Sequence, residues 1–355
     1  METPRHTSFR IALTADFYDE TGAPRYSDFG LGTFEGHEHI VVSKISEYRD
    51  EITSDQLAGN HAVLVLSPKV TANSLISSEQ LLAINRFGVG YDTVDVEACS
   101  AKDVLLTITP GAVDRPVAEA AVGWMLALSH RMLQKDRLVR TGCWDDRSQY
   151  MGCELRDRTL GVVGLGCIGR KLVTLLQGFG MSQPIAYDPF VSSQEMIELG
   201  VRAVGLEELL SKADFVSLHC PLNAETRGLI GAEQLGLMKP DAYLLNLARG
   251  GIVDEKALYN VLCEGQIAGA ALDCFDDEPV TETNLFCKLE NVILAPHSIA
   301  WTDELFRDIG RIACQSILDL SLGKIPRGVV NPEVLDRPSF QKKREAVIWG
   351  GGMLE

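Results

Sequence analysis

The sequence predicts an α/β protein with two Rossmann-like, doubly wound parallel-sheet domains and a cleft between them. Short apolar runs alternate with amphipathic stretches of helical length along most of the 355 residues. A glycine-rich motif, Gly164–Gly169, follows one of these runs and precedes a helical stretch. The length is sufficient for two ordinary domains of about 150 residues each.

The part of the chain before Pro110-Gly111 contains four short apolar runs that predict the buried strands of one parallel sheet. These runs are 11–15, 62–66, 82–86 and 105–109, with helices predicted at 71–76 and 95–99. Pro110-Gly111 then interrupts the chain, and Asp114 is a candidate N-cap with Pro116 just inside the helix. The helix that begins here is predicted to continue to about Leu138 and to be apolar around much of its surface. It is therefore expected either to lie buried in a domain core or to be shared between domains or subunits.

A second series of strands follows. The predicted strands are 159–163, 184–187, 215–218, 243–246, 269–272 and 292–295, and the predicted helices are 170–178, 193–199, 206–210 and 255–264. Six strands with crossover helices predict one complete domain over residues 111–296. Residues 1–110 and 297–335, with a helix at 302–322, form the other domain, and 336–355 form a tail without a clear period.

Composition excludes several classes of function. The net charge of −16 repels phosphate backbones, so no nucleic-acid partner is expected. No apolar run approaches the length of a membrane span, and no secretory leader is recognisable, so a cytoplasmic protein is expected. The nine cysteines include no C-x-x-C pair, which argues for reduced thiols and against a disulfide framework or a bound metal.

The motif Gly164-Leu-Gly-Cys-Ile-Gly169 has the spacing of a dinucleotide-binding loop. Gly164 would permit a tight turn, Gly166 would let the backbone approach a pyrophosphate, and Gly169 would let helix and strand pack closely. Cys167 and Ile168 would lie at the helix N-terminus, where unpaired N–H groups favour phosphate. A purely structural glycine turn is the alternative.

Asp188 lies at the end of the next predicted strand after this motif. Its position matches that of the carboxylate that accepts hydrogen bonds from the adenosine ribose hydroxyls in dinucleotide-binding folds. Its charge would repel a 2′-phosphate, and Pro189-Phe190 supplies no arginine beside it. NAD is therefore expected rather than NADP, unless Asp188 is an unrelated surface residue.

Three charged or titratable residues follow predicted strands in the second half: Arg249, Glu278 and His297. Ligands of open parallel sheets bind outside the carboxyl ends of the strands, so these residues would converge there. A histidine paired with a carboxylate can exchange the proton that accompanies hydride transfer, and an arginine can hold a substrate carboxylate. Taken singly, Arg249 could be a helix-entry ion pair, Glu278 a turn residue and His297 a core histidine.

Over roughly residues 60–335 the sequence resembles the D-isomer-specific 2-hydroxyacid dehydrogenases. The motifs that carry the resemblance are Gly88-Val-Gly-Tyr-Asp, Val117-Ala-Glu119, the glycine-rich loop, Leu218-His-Cys-Pro-Leu222, Asn246-Leu-Ala-Arg-Gly-Gly, Leu272-Asp-Cys-Phe-Asp-Asp-Glu-Pro and Pro296-His297. The resemblance implies NAD-dependent interconversion of a 2-oxo acid and a D-2-hydroxy acid. It also implies that residues 111–296 bind the cofactor and that the other domain binds the substrate.

The same resemblance implies roles for individual residues. His297 would be the acid/base, Glu278 its partner and Arg249 the substrate anchor, while the backbone N–H groups of Val89 and Gly90 would hold the substrate carboxylate. Further cofactor contacts would come from Cys220, Pro221, Ala248, Asp273 and His297, with Asp273 binding the nicotinamide carboxamide. The family is usually dimeric through the helix near 115–138.

The stretch Ile299-Ala-Trp301-Thr resembles two branches, the glycerate/hydroxypyruvate reductases and the C-terminal-binding proteins. Trp301 would line the substrate pocket or be a core aromatic, and an NADH-sensing regulatory protein is the alternative function. Two departures from the family pattern stand out. Cys167 replaces a frequent basic residue, and the loop with Lys69 lacks the arginine of phosphoglycerate-directed members, so a phosphorylated substrate is not favoured.

Overall fold

The computed structural model describes residues 8–281 and 283–349. The chain divides into two compact units: one contains the described residues up to Val113 and from Trp301 onward, and the other is Asp114–Ala300. The domain boundaries expected from the sequence, 110/111 and 296/297, differ from these by a few residues. None of the helices in the described part of the chain combines the length and apolarity that a membrane span requires.

The first unit contains a five-stranded parallel sheet. Its strands are β1 (Phe9–Leu13), β2 (Ile40–Lys44), β3 (Ala62–Val65), β4 (Ala83–Arg86) and β5 (Leu105–Thr107), in the order β2-β1-β3-β4-β5. Two short helices, α1 (Ser54–Leu57) and α2 (Val96–Ala101), lie between strands in the chain. The edge strand β2 was not predicted; its apolar run is only the three residues 40–42, and four of its five residues are exposed.

The helix predicted at 71–76 is wrong, since these residues form turns. The Ser74 hydroxyl accepts a hydrogen bond from the Thr71 N–H at 3.0 Å, and the Thr71 hydroxyl accepts one from Asn73 at 3.1 Å. Such local side-chain bonds offer the backbone an alternative to helical bonding.

The second unit contains a seven-stranded parallel sheet, not the six strands predicted. Its strands are β6 (Leu160–Val163), β7 (Ile185–Tyr187), β8 (Arg202–Ala203), β9 (Phe215–Leu218), β10 (Tyr243–Asn246), β11 (Gly269–Leu272) and β12 (Val292–Leu294), in the order β12-β11-β10-β9-β6-β7-β8. The additional strand β8 has only two residues, too few to show a pattern. The order reverses between β6 and β9, which is where doubly wound sheets bind ligands.

The described part of this unit has seven α-helices: α3 (Asp114–Ser129), α4 (Met132–Thr141), α5 (Cys167–Leu175), α6 (Ser193–Glu198), α7 (Leu206–Lys212), α8 (Ala232–Gly236) and α9 (Glu255–Cys263). Alternate strand residues enter different apolar clusters: Leu244 of β10 packs in one and Leu245 in the other. Both faces of the sheet are therefore covered, as expected for a parallel sheet.

The prediction of a single long helix from Asp114 to about Leu138 is wrong, because the helix is interrupted between α3 and α4. Arg131 has φ +53°, outside the helical region. The Ser129 carbonyl accepts a hydrogen bond from the Cys153 N–H at 2.8 Å instead of continuing the helical pattern. Met132, placed on the apolar face by the sequence, is consequently 47% exposed.

Among the described residues after Trp301, the first unit has two α-helices, α10 (Asp303–Ser321) and α11 (Pro338–Trp349). The Thr302 side chain caps α10 by accepting a hydrogen bond from the Leu305 N–H at 3.1 Å. Helix α11 lies in the predicted tail, where no period was recognised. The Lys343 ammonium fixes it by donating to the carbonyls of Lys102 and Asp103 at 3.1 and 3.2 Å. The final residues, 350–355, lie outside the described part of the chain.

Candidate active site

The second unit places most of the predicted site residues at the carboxyl edge of its sheet. Gly164 follows β6, Asp188 follows β7, and Cys220 and Pro221 follow β9. Arg249 follows β10, and Asp273 directly follows β11. His297 comes shortly after β12, so residues distant in sequence share one edge of the sheet.

The three glycines of the loop meet three different steric requirements. Gly164 has φ +92°, and a Cβ there would lie 2.7 Å from the Cys220 nitrogen. A Cβ on Gly169 would lie 2.6 Å from the Gly164 oxygen and 2.9 Å from a Val162 methyl carbon. A Cβ on Gly166 would meet nothing within 4 Å among the described residues. The loop therefore has open space at the position where a pyrophosphate must approach the backbone.

Helix α5 begins at Cys167 with Gly166 as its N-cap, slightly before the predicted start at Arg170. Cys167 is exposed, Ile168 is half-buried and Gly169 is buried within the first turn. The free N–H groups of this turn and the positive end of the helix dipole suit an anionic ligand. Together with the open space at Gly166, they fit a bound dinucleotide.

Asp188 joins the end of β7 to this loop. Its Oδ2 accepts a hydrogen bond from the Leu165 N–H, and its Oδ1 accepts one from the Phe190 N–H, both at 2.8 Å. The carboxylate is thus fixed beside the glycine-rich turn, as a ribose-binding group requires.

The loop after β9, the strand next to β6, packs against the glycine-rich turn at Gly164. The imidazole Nε2 of His219 lies 2.8 Å from the Ser217 hydroxyl oxygen. Burial lowers the pKa of His219 to about 4 and raises that of the Cys220 thiol to about 11. Both side chains are therefore uncharged at neutral pH.

His297 and Glu278 are in direct contact. The imidazole Nδ1 lies 2.8 Å from Glu278 Oε2, while Glu278 Oε1 accepts a hydrogen bond from the Phe275 N–H at 3.0 Å. Burial raises the pKa of Glu278, but the hydrogen bond and charge of His297, aided by Arg249, hold it below its usual value. The carboxylate is ionised at neutral pH and can stabilise a protonated imidazole.

The backbone of His297 is held in an unusual conformation, with φ +52°. Its N–H donates to the Asp273 carbonyl at 2.8 Å. The Asp273 carboxylate accepts from the N–H groups of Ser298 and Ile299 at 2.9 and 3.1 Å, and burial is the main cause that raises its pKa. Asp273 therefore orients the segment that carries His297. The exposed His297 side chain is not a core histidine.

Arg249 is positioned by its neighbours after β10. The Asn246 amide donates to the Arg249 carbonyl at 2.8 Å, and its oxygen accepts from the Ala248 N–H at 3.1 Å. The Arg249 Nη1 donates to the Ala248 carbonyl at 2.7 Å. Gly250 lies so close to the Phe275 carbonyl that a Cβ would overlap it, which fixes this turn against the Glu278 segment.

The remaining predicted residues, Val89, Gly90 and Trp301, belong to the first unit. Within the described chain, neither the Val89 nor the Gly90 N–H donates a hydrogen bond to another residue. The Trp301 indole is 50% exposed and lies edge-on to Tyr26 at 5.8 Å and to Phe306 at 5.1 Å between ring centroids. Trp301 is therefore not a core aromatic.

Two residues near the predicted ones had no distinguishing signal in the sequence. Cys274 is buried beside the pair, and its thiol donates to the Ala248 carbonyl at 3.4 Å. Tyr26 stacks on Phe306 at 3.9 Å between centroids. Cys274 lies within the motif at 272–279 and Tyr26 lies in none, but neither was singled out from the sequence, so only the folded chain reveals these neighbours.

Comparisons with known proteins bear on these features. A model of the "D-isomer specific 2-hydroxyacid dehydrogenase, NAD binding domain" matches residues 122–298. The D-3-phosphoglycerate dehydrogenase of Methanocaldococcus jannaschii is 42% identical over 264 residues, which are 74% of this chain and 50% of that protein. The glyoxylate reductase of Korarchaeum cryptofilum is 38% identical over 284 residues, 79% of this chain and 85% of that one.

A solved structure of D-lactate dehydrogenase from Aquifex aeolicus, complexed with NAD and lactic acid, is similar with a TM-score of 0.75 and 27% identity. The match covers 88% of this chain and 96% of that chain. The chain thus spans half of the matched phosphoglycerate dehydrogenase but most of the glyoxylate reductase and lactate dehydrogenase. The predicted fold class and NAD cofactor are confirmed, and the matches support the dehydrogenase function rather than the NADH-sensing alternative. The chain therefore belongs to the D-isomer specific 2-hydroxyacid dehydrogenase family of NAD-dependent oxidoreductases.

Proposed function

We propose that this chain catalyses the NAD-dependent interconversion of a small 2-oxo acid and the corresponding D-2-hydroxy acid. The observation that carries the proposal is the 2.8 Å contact between His297 Nδ1 and Glu278 Oε2 at the sheet edge that also carries Arg249. A hydrogen-bonded carboxylate fixes the imidazole tautomer and leaves Nε2 to exchange a proton with the substrate.

The residues divide the chemistry between them. NAD, when bound, would supply the chemistry of hydride transfer. His297 Nε2 donates a proton to the carbonyl oxygen during reduction, and the ionised Glu278 stabilises the charge that the ring carries in the protonated state. Arg249 and the backbone N–H groups of Val89 and Gly90 hold the substrate carboxylate.

For the cofactor, Gly164, Gly166, Cys167, Ile168 and Gly169 would bind the pyrophosphate and Asp188 the ribose. Asp273 would bind the carboxamide, while Cys220, Pro221, Ala248 and His297 would line the nicotinamide. The open space at Gly166 and the anchored Asp188 carboxylate support this assignment.

The substrate side chain would contact Trp301. Half of the indole is accessible, and its packing against Tyr26 and Phe306 fixes its orientation. Lys69, in the loop where phosphoglycerate-directed members carry an arginine, is exposed and offers only a single flexible cation. An unphosphorylated 2-oxo acid is therefore expected as the substrate.

A variant pair tests the acid/base assignment. Replacing His297 by Asn or Glu278 by Gln should lower kcat by at least about 100-fold, the size of a general acid–base contribution. NADH binding, followed by fluorescence titration, should change little in E278Q. Turnover would be followed by NADH oxidation with glyoxylate, hydroxypyruvate, pyruvate, phenylpyruvate and 3-phosphohydroxypyruvate. The exposed His130, replaced by Asn, is the control; near-normal turnover of H297N would contradict the proposal.

We also propose that the chain forms a homodimer. Five large apolar side chains on and after α4 are 47–77% exposed: Met132, Leu133, Val139, Trp144 and Met151. A cluster of this kind is typical of a protein interface. A second copy of the chain would cover it, next to α3, and light scattering should give twice the mass of 38.8 kDa. A monomer at micromolar concentration would exclude this dimer.

Cytoplasmic localisation is part of the same proposal. All nine cysteines lie in the described part of the chain, and none of them forms a disulfide. Reduced thiols persist in the cytosol, where glutathione and thioredoxin prevent disulfide formation. Fractionation of the cells of origin should place the enzyme with cytosolic markers.

A further inference from the structure

Three side chains with different metal-binding chemistry meet at the active-site pair. The Cys274 Sγ, a Glu278 carboxylate oxygen and a His297 ring nitrogen all lie within 4.8 Å of one another. The spacing of cysteines in the sequence does not predict this group of side chains, because its members come from two separate segments of the chain. We propose that Cys274, Glu278 and His297 bind a thiophilic divalent cation such as Zn²⁺, and that this binding inhibits the dehydrogenase.

The donor set determines the class of ion. Thiolate, imidazole and carboxylate are the three protein ligands that Zn²⁺ uses, and sites with three of them leave one position for water. Mg²⁺ and Ca²⁺ require oxygen ligands and tolerate sulfur poorly. A borderline-soft cation is therefore favoured over the hard cations that are abundant in cells.

Two of the ligands are already in place. Glu278 Oε1 is fixed by the Phe275 N–H, and the His297 backbone is fixed by the Asp273 carbonyl. The two side chains are also hydrogen-bonded to each other, with His297 Nδ1 2.8 Å from Glu278 Oε2. Ligand bonds of about 2.0–2.2 Å in a tetrahedral site separate two ligand atoms by about 3.4 Å, so the pair must open by only about 0.6 Å. A preorganised site loses little conformational entropy on binding.

Cys274 completes the set with a larger adjustment. Its thiol donates to the Ala248 carbonyl at 3.4 Å and must exchange this bond for a metal bond. The cation displaces the thiol proton, which passes to solvent, and the ring proton moves from His297 Nδ1 to Nε2, so that the imidazole stays neutral. The only reaction is this exchange of the thiol proton for the cation, with the shift of the ring proton.

Surrounding charges favour a cation over an anion. Asp276 and Asp277 lie in the same turn as Glu278. Burial is the main cause that raises the pKa of the nearby Glu255, and these three charges also raise it, while a hydrogen bond from the Asp276 N–H opposes them. Arg249 is the opposing positive charge, since it stabilises the ionised Glu278. Three carboxylates against one guanidinium leave the turn negative.

The inhibitory effect follows from the atom that the cation occupies. A cation on Nδ1 takes the place of the hydrogen that this atom shares with Glu278, so Nε2 keeps its proton and the ring can no longer alternate between its neutral and protonated forms. This half of the inference rests on the proposed function, whereas binding of the cation does not.

Calorimetry on the full chain tests binding alone. Protein freed of metal with EDTA is titrated with ZnCl₂ in the absence of substrate and cofactor. We expect C274A and C274V to weaken the tightest zinc binding at least tenfold, while C263A, which removes an exposed thiol, retains it. C274V fills the space of the thiol with apolar atoms in case the smaller alanine impairs folding. Equal zinc binding by wild type and both variants, or no binding by wild type, overturns the proposal.

Turnover then tests inhibition. Zinc should abolish NADH oxidation by the wild type at concentrations at least tenfold below those that affect C274A, and Mg²⁺ should have no effect. The variants should turn over within about threefold of wild type without zinc. Zinc binding through Cys274 without inhibition overturns the inhibitory half. If no 2-oxo acid supports turnover, the proposed function fails, while the calorimetry still decides the metal site.

Discussion

Asp188 combines a structural and a charge-dependent role at a single residue. Its two oxygens fix the Leu165 and Phe190 N–H groups, and its negative charge is the feature expected to favour NADH over NADPH. Replacement by Asn keeps an oxygen that can accept from Leu165 but removes the charge. The KM for NADH should rise at least about tenfold, since a charged hydrogen bond contributes about 1.5–3 kcal/mol.

The same D188N variant should use NADPH better relative to NADH. Steady-state assays with both cofactors measure the ratio of the two kcat/KM values. Asp241, an exposed carboxylate just before β10 and so near the amino end of that strand, provides the control variant D241N. An unchanged cofactor ratio in D188N would show that this charge does not discriminate between the two cofactors.

At the residue scale, the sequence predicted the contact between His297 and Glu278, although the two lie in separate segments of the chain. The prediction was possible because both follow strands whose carboxyl ends share one edge. Their catalytic roles stay predictions. Cys274 follows β11 by two residues and so lies at the same edge, but a single cysteine there gave no reason to be singled out.

At the element scale, the turn between β6 and α5 offers a matched pair of variants. A Cβ on Gly169 would overlap the Gly164 oxygen and Val162, so G169A should cost about 1–3 kcal/mol of stability. A Cβ on Gly166 meets no described residue, and its φ of −74° suits alanine. G166A should therefore lose less than about 1 kcal/mol.

NADH binding should show the reverse order. G166A, the more stable of the two variants, should lose much more NADH affinity than its small loss of stability explains. In G166A the added methyl group occupies the space where the pyrophosphate approaches, so the Kd for NADH should rise at least tenfold while the melting temperature changes by only a few degrees. Thermal melts and NADH fluorescence titrations measure both properties. Wild-type NADH affinity in G166A would show that the cofactor lies elsewhere.

Elements with strong apolar runs were predicted within a few residues, and those without them were missed. Strands β9, β10 and β11 match their predictions because all of their residues are buried. Strand β2 is mostly exposed, and β8 has two residues, so neither has a readable period. The break at Arg131 depends on a hydrogen bond to the Ser129 carbonyl from Cys153, which lies beyond the whole of α4, and local periodicity cannot indicate such a contact.

At the scale of the whole molecule, two histidines link stability to pH. His61, in the first unit, packs edge-on against Phe9, and its Nε2 lies 2.9 Å from the Arg10 guanidinium. Burial and the Arg10 charge lower its pKa from 6.5 to about 4, and burial lowers that of His219, in the second unit, to about 4. Both folded units therefore resist protonation that the unfolded chain accepts.

The sign of the effect follows from proton linkage. Between about pH 6.5 and 4 the unfolded chain binds more protons than the folded chain, so stability is full above this range and falls as the pH decreases through it. Solvent screening at partly hydrated rings reduces the effect, and the two histidines together should cost about 2 kcal/mol between pH 7.5 and 5. Urea denaturation followed by circular dichroism at both pH values measures the loss.

Variants separate this contribution from that of the acidic surface. Replacing His61 by Gln removes the titrating ring while retaining a polar group next to Arg10, so the variant should lose less stability than wild type as the pH falls from 7.5 to 5. The exposed His130, replaced by Gln, should leave the pH dependence unchanged. Acid sensitivity that is identical in H61Q and wild type would assign the loss to carboxylates instead, because their protonation is the other general cause of acid unfolding.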